Sequence, residues 1–377
     1  MVETKIKKKL KIAVAMSGGV DSSVVAKILK NQGHEVVGIF LHFWKEGGDS
    51  NDFENKCCSA EALLDARRVA DKIGIPLYTL NFAKIFKKSV VNNFLSEYKN
   101  GKTPNPCVRC NKLVKLGLLI KQAKKLGFDF VASGHYVCLK QKNKKFSMYA
   151  AKDKNKDQSY FLYTFNQKEL AHLLFPLGDY TKIQVRQLAK KFKLPVAEKP
   201  ESQEICFIPN KKHNEFLKRH LKLKPGLILS LARRPARHMS GWGKGEVLGK
   251  HLGLPLYTIG QRKGIEIGGT GPYYAAKMDY KKNILYVVNN SNDKILYSNK
   301  LITKNVNWLS NDEPKLPLKC QAVIRYRHKP IKCIITKDGN NSFLVKFSKP
   351  QRAITSGQSV VFYKKNEVLG GGIINKL

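Results

Sequence analysis

Acidic side chains and long apolar runs are what this sequence has least of. Only 28 of its 377 residues are Asp or Glu, against 69 Lys and Arg, so the formal net charge is +41. A surface this positive predicts a polyanionic partner, a nucleic acid or an acidic membrane surface, although a lysine-rich genome composition would also raise the charge. No apolar run approaches the roughly 20 residues that a membrane helix requires, which excludes an integral membrane protein built from helices.

Targeting signals are also missing. The N-terminal stretch MVETKIKKKLK has no apolar segment and no Arg, which argues against a secretory signal and against a mitochondrial presequence. Eight cysteines in a chain without a secretory signal indicate a reducing compartment rather than a disulfide framework. We therefore expect a cytoplasmic protein whose thiols are available for chemistry or for metal binding.

Two patterns of secondary structure divide the chain. Through about residue 150, short apolar runs such as 10–16 and 35–43 alternate with helical patterns such as 20–31 and 60–73, which predicts a parallel α/β sheet. A Gly- and Pro-containing region follows, and then short β-rich runs separated by turn residues, which predict an antiparallel barrel or sandwich. The predicted domains are an α/β domain over 1–212, a small central domain over 213–280 and a β-rich domain over 281–377.

The most specific local motif is the heptapeptide SGGVDSS at residues 17–23, between the first predicted strand and the first predicted helix. Glycines allow a tight turn, and amide groups at the start of a helix bind anions such as phosphate, assisted here by serine hydroxyls. The motif lacks the Gly-Lys-Ser/Thr ending of a Walker loop. A well-capped helix start would look similar, but Asp21 favours a phosphate site, because Mg²⁺ can lie between a carboxylate and phosphates.

This heptapeptide resembles the loop of the ATP-pyrophosphatase (PP-loop) enzymes, which cleave ATP between its α and β phosphates to adenylate an oxygen of a substrate. Five further motifs resemble the tRNA-specific 2-thiouridylases, the MnmA family, and occur in family order along almost the whole chain. They are TPNPCVRCNK at 103–112, NKDQSYFL at 155–162, SQEICFI at 202–208, YTIGQRKG at 257–264 and QRAITSGQ at 351–358. The resemblance implies a Rossmann-like PP-loop domain, a small central domain and an antiparallel β-barrel that clamps tRNA.

The resemblance also implies a reaction, the ATP-dependent replacement of O2 by sulfur on the wobble uridine of tRNA. Adenylation makes O2 part of a leaving group, and a persulfide, which is more acidic than a thiol, supplies the sulfur nucleophile. A second thiolate then cleaves the S–S bond and leaves a disulfide on the enzyme. By resemblance, Cys206 carries the persulfide and Cys110 is its partner nucleophile. Arg109 and Lys112 would lower a thiol pKa if they lie beside it.

Cys107 leaves a second mechanism open. With Cys110 it forms a Cys-x-x-Cys pair, a spacing found in zinc, redox and iron–sulfur sites. No second pair with zinc-site spacing is visible, since the cysteines at 57–58 are adjacent. An iron–sulfur cluster held by Cys107, Cys110 and Cys206 would replace the persulfide mechanism; we rank it second because a thiolate bound to iron is not free to act as the partner nucleophile. The other three cysteines are better interpreted as small buried hydrophobic residues.

The same resemblance assigns binding residues, none of which is a ligand of a protein-bound metal. For ATP, with Mg²⁺ near Asp21, they are Ala15, Met16, Ser17, Gly18, Gly19, Val20, Asp21, Ser22, Leu41 and Gly134. For tRNA they are Asn105, Pro106, Cys107, His135, Lys156, Asp157, Gln158, Arg325, Tyr326 and Gln358. These residue types suit a splayed anticodon loop, because Lys, Arg and Gln bind phosphates and base edges and Tyr stacks on bases. The implied partners are tRNAs, expected to be the Lys, Glu and Gln acceptors, and a persulfide sulfur-donor protein, with no membrane partner.

Some segments depart from the family pattern, and two other functions stay open. Leu41 stands where methionine is frequent, and Pro200-Glu201 and Glu204 stand where Lys/Asp and Gly are frequent. The basic stretch 229–245 is either an additional RNA contact or a solvated loop. One alternative function is a PP-loop ligase that adenylates a small molecule, and the other is an RNA-binding protein whose loop and thiols have no catalytic role.

Overall fold

The computed structural model describes residues 8–46, 59–201, 205–208, 212–231, 246–265, 267–268 and 272–376. Most of the basic stretch 229–245, both adjacent cysteines at 57–58, and Glu204 lie outside the described residues. No helix within the described ranges is both long enough and apolar enough to cross a membrane.

Helices and strands alternate in the first third of the chain, and strands dominate the last quarter. The helices are α1 (Val20–Asn31), α2 (Ala60–Ile73), α3 (Ala83–Phe86), α4 (Asn92–Lys99), α5 (Pro106–Cys110), α6 (Gly117–Lys125), α7 (Gln167–Leu170), α8 (Lys182–Lys191) and α9 (His213–His220). The strands are β1 (Lys11–Met16), β2 (Glu35–His42), β3 (Leu77–Asn81), β4 (Phe130–Ser133), β5 (Val137–Lys142), β6 (Lys145–Ala150), β7 (Leu173–Leu174), β8 (Gly226–Ser230), β9 (Val247–His251), β10 (Tyr274–Asp279), β11 (Ile284–Val288), β12 (Tyr297–Trp308), β13 (Leu318–Val323), β14 (Ile331–Lys337), β15 (Ser342–Arg352), β16 (Ser359–Lys364) and β17 (Glu367–Lys376). Two π-helical turns, Lys87–Val91 and Asn111–Lys115, follow α3 and α5.

The predicted parallel α/β sheet is confirmed. Its strand order is β3-β2-β1-β4-β7, and every neighbouring pair is parallel. The apolar side chains of β1 are buried, as expected for a central strand covered by helices on both faces. The strand order reverses direction at β1, with β2 on one side and β4 on the other, and ligands of such sheets bind at the carboxyl ends of the strands beside this reversal. The loop that carries SGGVDSS leaves β1 at this edge.

Local capping explains why α2 begins and ends where the sequence predicted. The Ser59 hydroxyl accepts a hydrogen bond from the Ala62 amide at 3.1 Å, which satisfies one of the free amides at the helix start. Gly74 ends the helix with φ of 72°, a left-handed conformation that glycine adopts without strain. α2 is therefore held beside the β1–α1 loop, where its first turn lies against Gly18.

The central domain is a four-stranded sheet in the order β10-β11-β8-β9, in which only β8 and β11 run parallel. α9 joins this domain to the α/β domain. Phe216 and Leu217 of α9 are fully buried and belong to the core that contains the parallel sheet. At the same junction Arg219 donates two hydrogen bonds to Glu46, at 3.0 and 2.8 Å, and His220 lies 2.6 Å from the same carboxylate.

The C-terminal domain is a closed antiparallel barrel, as predicted. Six strands follow one another in the order β12-β15-β14-β13-β16-β17, and a pairing of β17 with β12 closes the cylinder. Its core is separate from that of the α/β domain and includes Trp308, which stacks on Phe362 with ring centroids 5.5 Å apart. The β5–β6 hairpin, which precedes the barrel by about 150 residues in sequence, extends this sheet: Met148 and Tyr149 of β6 pair with the start of β17.

A layer of hydroxyl groups joins the barrel to the segment that contains the NKDQSYFL motif. Tyr160 donates to the Ser359 carbonyl at 2.9 Å, the hydroxyls of Tyr163 and Ser359 lie 3.1 Å apart, and those of Ser159 and Tyr363 also lie 3.1 Å apart. Burial raises the pKa of Tyr163 to about 12, so its hydroxyl stays protonated and available as a donor. These bonds fix the position of β16 against the motif.

The Glu46 cluster predicts an acid-sensitive contribution to stability. Burial by itself raises the pKa of Glu46, but hydrogen bonds and charges from Arg219 and His220 outweigh it and lower the pKa below its ordinary value of 4.5. A carboxyl group with a lowered pKa stabilises the fold above its unfolded-state pKa, and this stabilisation is lost as the pH falls through the lowered value. We expect Glu46→Gln to lower the free energy of unfolding at pH 7, and we expect its difference from the parent to shrink below about pH 4.5.

Urea unfolding of the parent and of Glu46→Gln at several pH values measures this difference. Glu313→Gln is the control, because Glu313 pairs with Lys337 at an exposed position where an ion pair contributes little. A difference between parent and Glu46→Gln that stays constant with pH would contradict the prediction.

Candidate active site

The loop after β1 is held closed by serine hydroxyls. The Ser17 amide donates to the Ser22 hydroxyl at 3.2 Å, and the hydroxyls of Ser22 and Ser23 donate to the Gly19 carbonyl at 3.2 and 2.8 Å. Gly19 is the N-cap of α1 and provides no side-chain cap. The first-turn amides of a helix have no partner within the helix, so this helix start suits an anionic ligand.

The backbone of the loop turns at Gly18. Its φ is +66°, and a Cβ placed on it would lie 2.1 Å from the carbonyl oxygen of Ala62 in the first turn of α2. Only glycine combines this backbone conformation with so close an approach. The loop therefore fits between α1 and α2 only with glycine at position 18.

The other predicted ATP residues converge on the same edge of the sheet. Leu41 is buried near the end of β2, and Gly134 follows β4, so both lie beside the loop that follows β1. A Cβ on Gly134 would lie 2.9 Å from the Ser22 amide nitrogen, which shows how closely the two segments pass. Ala15, Met16 and Val20 are buried in the core. Their side chains therefore pack in the core beneath the loop, and a ligand in the loop would contact only the backbone of these residues.

Asp21, in the first turn of α1, is the centre of a charged network that the sequence did not predict. The Tyr136 hydroxyl donates to Asp21 Oδ1 at 2.7 Å, and Lys182 Nζ donates to the same oxygen at 2.6 Å. Lys182 also pairs with Glu201 Oε1 at 2.7 Å, and Lys156 pairs with the other oxygen of Glu201. Burial and the nearby Asp21 charge raise the pKa of Tyr136, so its hydroxyl remains a donor. The network connects the loop to Lys156, one of the predicted tRNA residues.

The predicted nucleophile lies on the short helix α5. The Asn105 side chain caps this helix by accepting from the Val108 amide at 3.3 Å, and Pro106 occupies its first turn. Cys107 is half-buried and Cys110 is buried. A π-helical turn follows directly, a feature common at functional sites. The Asn-Pro pair therefore determines where α5 begins and so where both thiols lie.

The two cations that could lower the pKa of a nearby thiol have other partners. Arg109 donates through Nε to the Ser89 carbonyl, and burial lowers its pKa. Lys112 Nζ lies 2.5 Å from Glu169 and 5.4 Å from the centre of the Phe165 ring. These contacts anchor α5 and the following turn to neighbouring helices.

Cys206 approaches the same helical region from another segment. Cys206 is half-buried, and the next residue, Phe207, is fully buried. The Phe207 ring packs edge-on against Phe86 and Phe94, with centroids 5.7 and 5.3 Å apart. α5 packs against the π-helical turn that lies between these two phenylalanines. Both predicted catalytic cysteines are thus brought against one helical region, although 96 residues separate them in sequence.

Metal binding by the cysteines is not supported by the arrangement of the chain. Within the described ranges, which include Cys107, Cys110 and Cys206, no three His, Cys, Asp or Glu side chains lie close enough together to hold a metal ion. The iron–sulfur cluster predicted as a second mechanism therefore gains no support. Cys138, interpreted from sequence as a small buried residue, is half-buried, and its thiol lies 3.5 Å from an oxygen of Asp179.

Three of the predicted tRNA residues form hydrogen bonds within the protein. Asp157 accepts from the Ala151 amide at 2.9 Å and is half-buried, and Gln158 accepts from the Tyr136 amide at 3.0 Å. His135 is only 5% exposed, and its Nδ1 lies 2.8 Å from the Ser133 hydroxyl. Burial lowers the pKa of His135 well below its ordinary value, so the ring is neutral. The side chain of His135 therefore lies beneath the protein surface.

The barrel contributes the remaining predicted residues to the region of α5. Gln358 donates to the carbonyls of Thr103 and Pro104, at 2.8 and 3.3 Å. These two residues directly precede Asn105, the N-cap of α5. The Tyr326 ring lies 4.4 Å from that of Phe161, in the NKDQSYFL motif. Arg325 is largely buried, which lowers its pKa. Gln358 thus links the barrel to the segment that leads into α5, and Tyr326 links it to the NKDQSYFL motif.

Comparison with known proteins decides the family. Three family profiles match in succession: the tRNA methyl transferase HUP domain at residues 10–210, the tRNA methyl transferase PRC-barrel domain at 214–289 and the aminomethyltransferase beta-barrel domain at 298–374. The tRNA-specific 2-thiouridylase MnmA of Coxiella burnetii (strain RSA 493 / Nine Mile phase I) is 44% identical over 370 residues, which cover 97% of this chain and 98% of the relative. The chain belongs to the MnmA family.

Other members of the MnmA family match to the same degree. The tRNA-specific 2-thiouridylase MnmA 2 of Thermoanaerobacter sp. (strain X514) and the MnmA of Carboxydothermus hydrogenoformans are each 44% identical over 371 residues, with 97% of this chain and 98% of each relative covered. The family resemblance read from the motifs is therefore confirmed, together with the PP-loop fold. The individual binding residues and the roles of Cys110 and Cys206 stay predictions.

Proposed function

We propose that this protein is a tRNA-uridine 2-sulfurtransferase, which adenylates O2 of the wobble uridine (uridine 34) and replaces that oxygen with sulfur. The products are 2-thiouridine, AMP and pyrophosphate. Two sets of contacts carry the proposal: Lys182 and Glu201 connect Asp21 of the serine-held loop to Lys156, and Gln358 of the barrel holds the segment that leads into the thiol helix α5. Full-length similarity to named tRNA-specific 2-thiouridylases supports the same reaction. The reducing cytoplasm is the proposed location, because the chemistry depends on free thiols.

ATP binds with its phosphates at the start of α1. The uncapped amides of α1 and the hydroxyl of Ser17 supply hydrogen-bond donors, and Leu41 provides an apolar surface for the adenine ring. The carboxylate of Asp21 is the type of ligand that Mg²⁺ prefers, and it lies at the helix start. Mg²⁺ held there would supply positive charge to offset that of the phosphates.

Sulfur transfer uses the two thiols. A donor protein loads Cys206 with a persulfide, whose terminal sulfur attacks C2 of the adenylated uracil and expels AMP. The Cys110 thiolate then attacks Sγ of Cys206, the S–S bond breaks, and the terminal sulfur stays on C2. The resulting disulfide between Cys110 and Cys206 is reduced by an external dithiol before the next cycle. The shared helical neighbours of the two cysteines support this pairing.

The tRNA binds through its anticodon loop. The net charge of +41 attracts the phosphate backbone, and Lys156, Arg325 and Tyr326 supply contacts to phosphates and bases. C2 of a stacked base is out of reach, so uridine 34 must flip toward Asn105, Pro106 and Cys107. The proposed acceptors are the Lys, Glu and Gln tRNAs. The barrel fits a clamping role, because Gln358 holds the segment that leads into α5.

Two non-hydrolysable ATP analogues test the activation step. The purified protein is incubated with a tRNA transcript, a chemical persulfide donor and nucleotide, and 2-thiouridine is measured by mass spectrometry of nucleosides. The β,γ-methylene analogue should support thiolation, because its α,β bond can still break. The α,β-methylene analogue should not. Thiolation without any nucleotide would overturn the proposal.

The same assay separates the two alternative functions. A transcript with cytidine at position 34 is the control and should yield no thiolated nucleoside. Pyrophosphate release that requires a metabolite extract and not tRNA would indicate a ligase for a small molecule. Tight tRNA binding without any pyrophosphate release would indicate an RNA-binding protein.

A further inference from the structure

Lys182 is a buried cation at the nucleotide site to which no role has been assigned. Its side chain is 10% exposed, and its Nζ bridges Asp21 at 2.6 Å and Glu201 at 2.7 Å. An ammonium group has three hydrogens, and these two carboxylates take two of them. Asp21 belongs to the loop that we assign to ATP phosphates, so a phosphate beside Asp21 also lies beside Lys182.

The position of Lys182 in its helix is unfavourable for a lysine. It is the first residue of α8, where the helix dipole disfavours a positive charge. The backbone there is fixed independently: Thr181 and Gln184 form a capping box, and the Lys182 amide donates to Asp153 at 2.9 Å. Stability of α8 therefore does not explain the lysine. An anion at this position would benefit from both the ammonium group and the helix start.

The four side chains joined by ion pairs around Lys182 carry balanced charges, and Asp153, at the Lys182 amide, adds one negative charge. Asp21 and Glu201 carry two negative charges, and Lys182 and Lys156 carry two positive charges. Glu201 gives one oxygen to each lysine and so holds Lys182 in place from the side opposite Asp21. Removing the Lys182 charge makes the site more negative, whereas removing the Glu201 charge makes it less negative. The two changes should therefore affect phosphate binding in opposite directions.

We propose that Lys182 binds a phosphate group of ATP through its third hydrogen and that Glu201 is the residue that positions it. The identity of the nucleotide rests on the proposed function. The position of the lysine beside the loop rests on the geometry alone. A phosphate of tRNA would present the same chemistry to Lys182, so the test measures ATP and tRNA separately.

The affinity for ATP with Mg²⁺, measured by calorimetry without tRNA, tests this assignment. Lys182→Met should weaken ATP binding by about 10- to 100-fold, because one charge-assisted hydrogen bond is lost. Lys182→Arg should recover most of this loss. Glu201→Gln should bind ATP several-fold more tightly than the parent, because glutamine still accepts a hydrogen bond from Lys182 while the site loses one negative charge. A merely structural role predicts that Lys182→Met and Glu201→Gln weaken binding together.

An exposed ion pair from the same part of the chain gives matched controls. Lys190, also on α8, pairs with Glu198 at 2.8 Å, and both side chains are more than half exposed. Lys190→Met and Glu198→Gln should leave ATP affinity within about twofold of the parent. ATP affinity that Lys182→Met leaves unchanged would overturn the proposal, as would a loss confined to tRNA affinity or a parallel loss in Glu201→Gln. Calorimetry measures ATP binding alone. A protein that binds ATP as expected but does not thiolate tRNA would therefore contradict the proposed function and not the role of Lys182.

Discussion

Replacing Gly18 with alanine should destabilise the protein and abolish ATP binding. The new methyl group would lie 2.1 Å from the Ala62 carbonyl oxygen, and the residue would have to keep a φ of +66°. Left-handed backbone and overpacking together cost roughly 2–5 kcal/mol, unless the loop moves away from α2 and loses its shape. Thermal or urea unfolding measures the loss of stability, and calorimetry with ATP measures the loss of binding.

Gly19→Ala is the matched control for this substitution. Gly19 has an ordinary φ of −103°, and the nearest atom to its added Cβ would be the Ser17 hydroxyl oxygen at 3.5 Å. We expect a change in the free energy of unfolding of less than about 1 kcal/mol, since alanine is only a poorer N-cap than glycine. Equal stability of the two variants would show that the contact between Gly18 and α2 has no energetic importance.

Serine substitutions of the three cysteines near α5 should separate the two sulfur chemistries. Cys206→Ser and Cys110→Ser should each lower thiolation by at least about 1000-fold, because each removes a sulfur that forms or breaks a bond. Cys107→Ser should only weaken it. Mass spectrometry of Cys110→Ser should find a persulfide on Cys206 after reaction with the donor alone, and a covalent adduct of Cys206 with tRNA through the uncleaved S–S bond once ATP and tRNA are added.

Cys138→Ser is the control for these variants. Burial and the neighbouring Asp179 raise the pKa of Cys138 to about 11, so its thiol is protonated at neutral pH and should not take part. An iron–sulfur mechanism predicts a different result, namely that Cys107→Ser also abolishes thiolation and that the purified protein carries a brown iron chromophore. Full activity of Cys206→Ser would contradict both mechanisms.

Helices and strands whose ends are set by nearby residues in the sequence were predicted well. Strand β17 shows why other elements were not. α2 has its predicted bounds because Ser59 and Gly74 cap it, and caps are local features. β17 contains three consecutive glycines, which are ordinarily signs of a turn. In the barrel they allow close contact: a Cβ on Gly371 would lie 2.6 Å from the Val360 carbonyl oxygen. This need depends on the packed fold, so the glycine pattern alone suggested no strand.

The candidate site follows the same rule. The loop at 17–23 could be predicted because its residues are contiguous and their chemistry is specific. Lys182 could not, since its partner Asp21 lies 161 residues away and no local pattern distinguishes it from the other 56 lysines. His135 and Asp157 were predicted as tRNA contacts by resemblance to the family. Their burial and internal hydrogen bonds depend on neighbours that a single sequence does not specify.

The pairing of β6 with β17 determines how this protein can be divided. The β5–β6 hairpin covers the part of the β17 edge that β12 leaves unpaired. The α/β domain and the barrel are therefore joined by backbone hydrogen bonds between β6 and β17. A fragment that begins after the central domain would present that edge to solvent, and a fragment that stops before the barrel would present the matching edge of β6. Uncovered strand edges recruit other strands. We therefore expect the α/β domain and the barrel to fold properly only when they are produced as one chain.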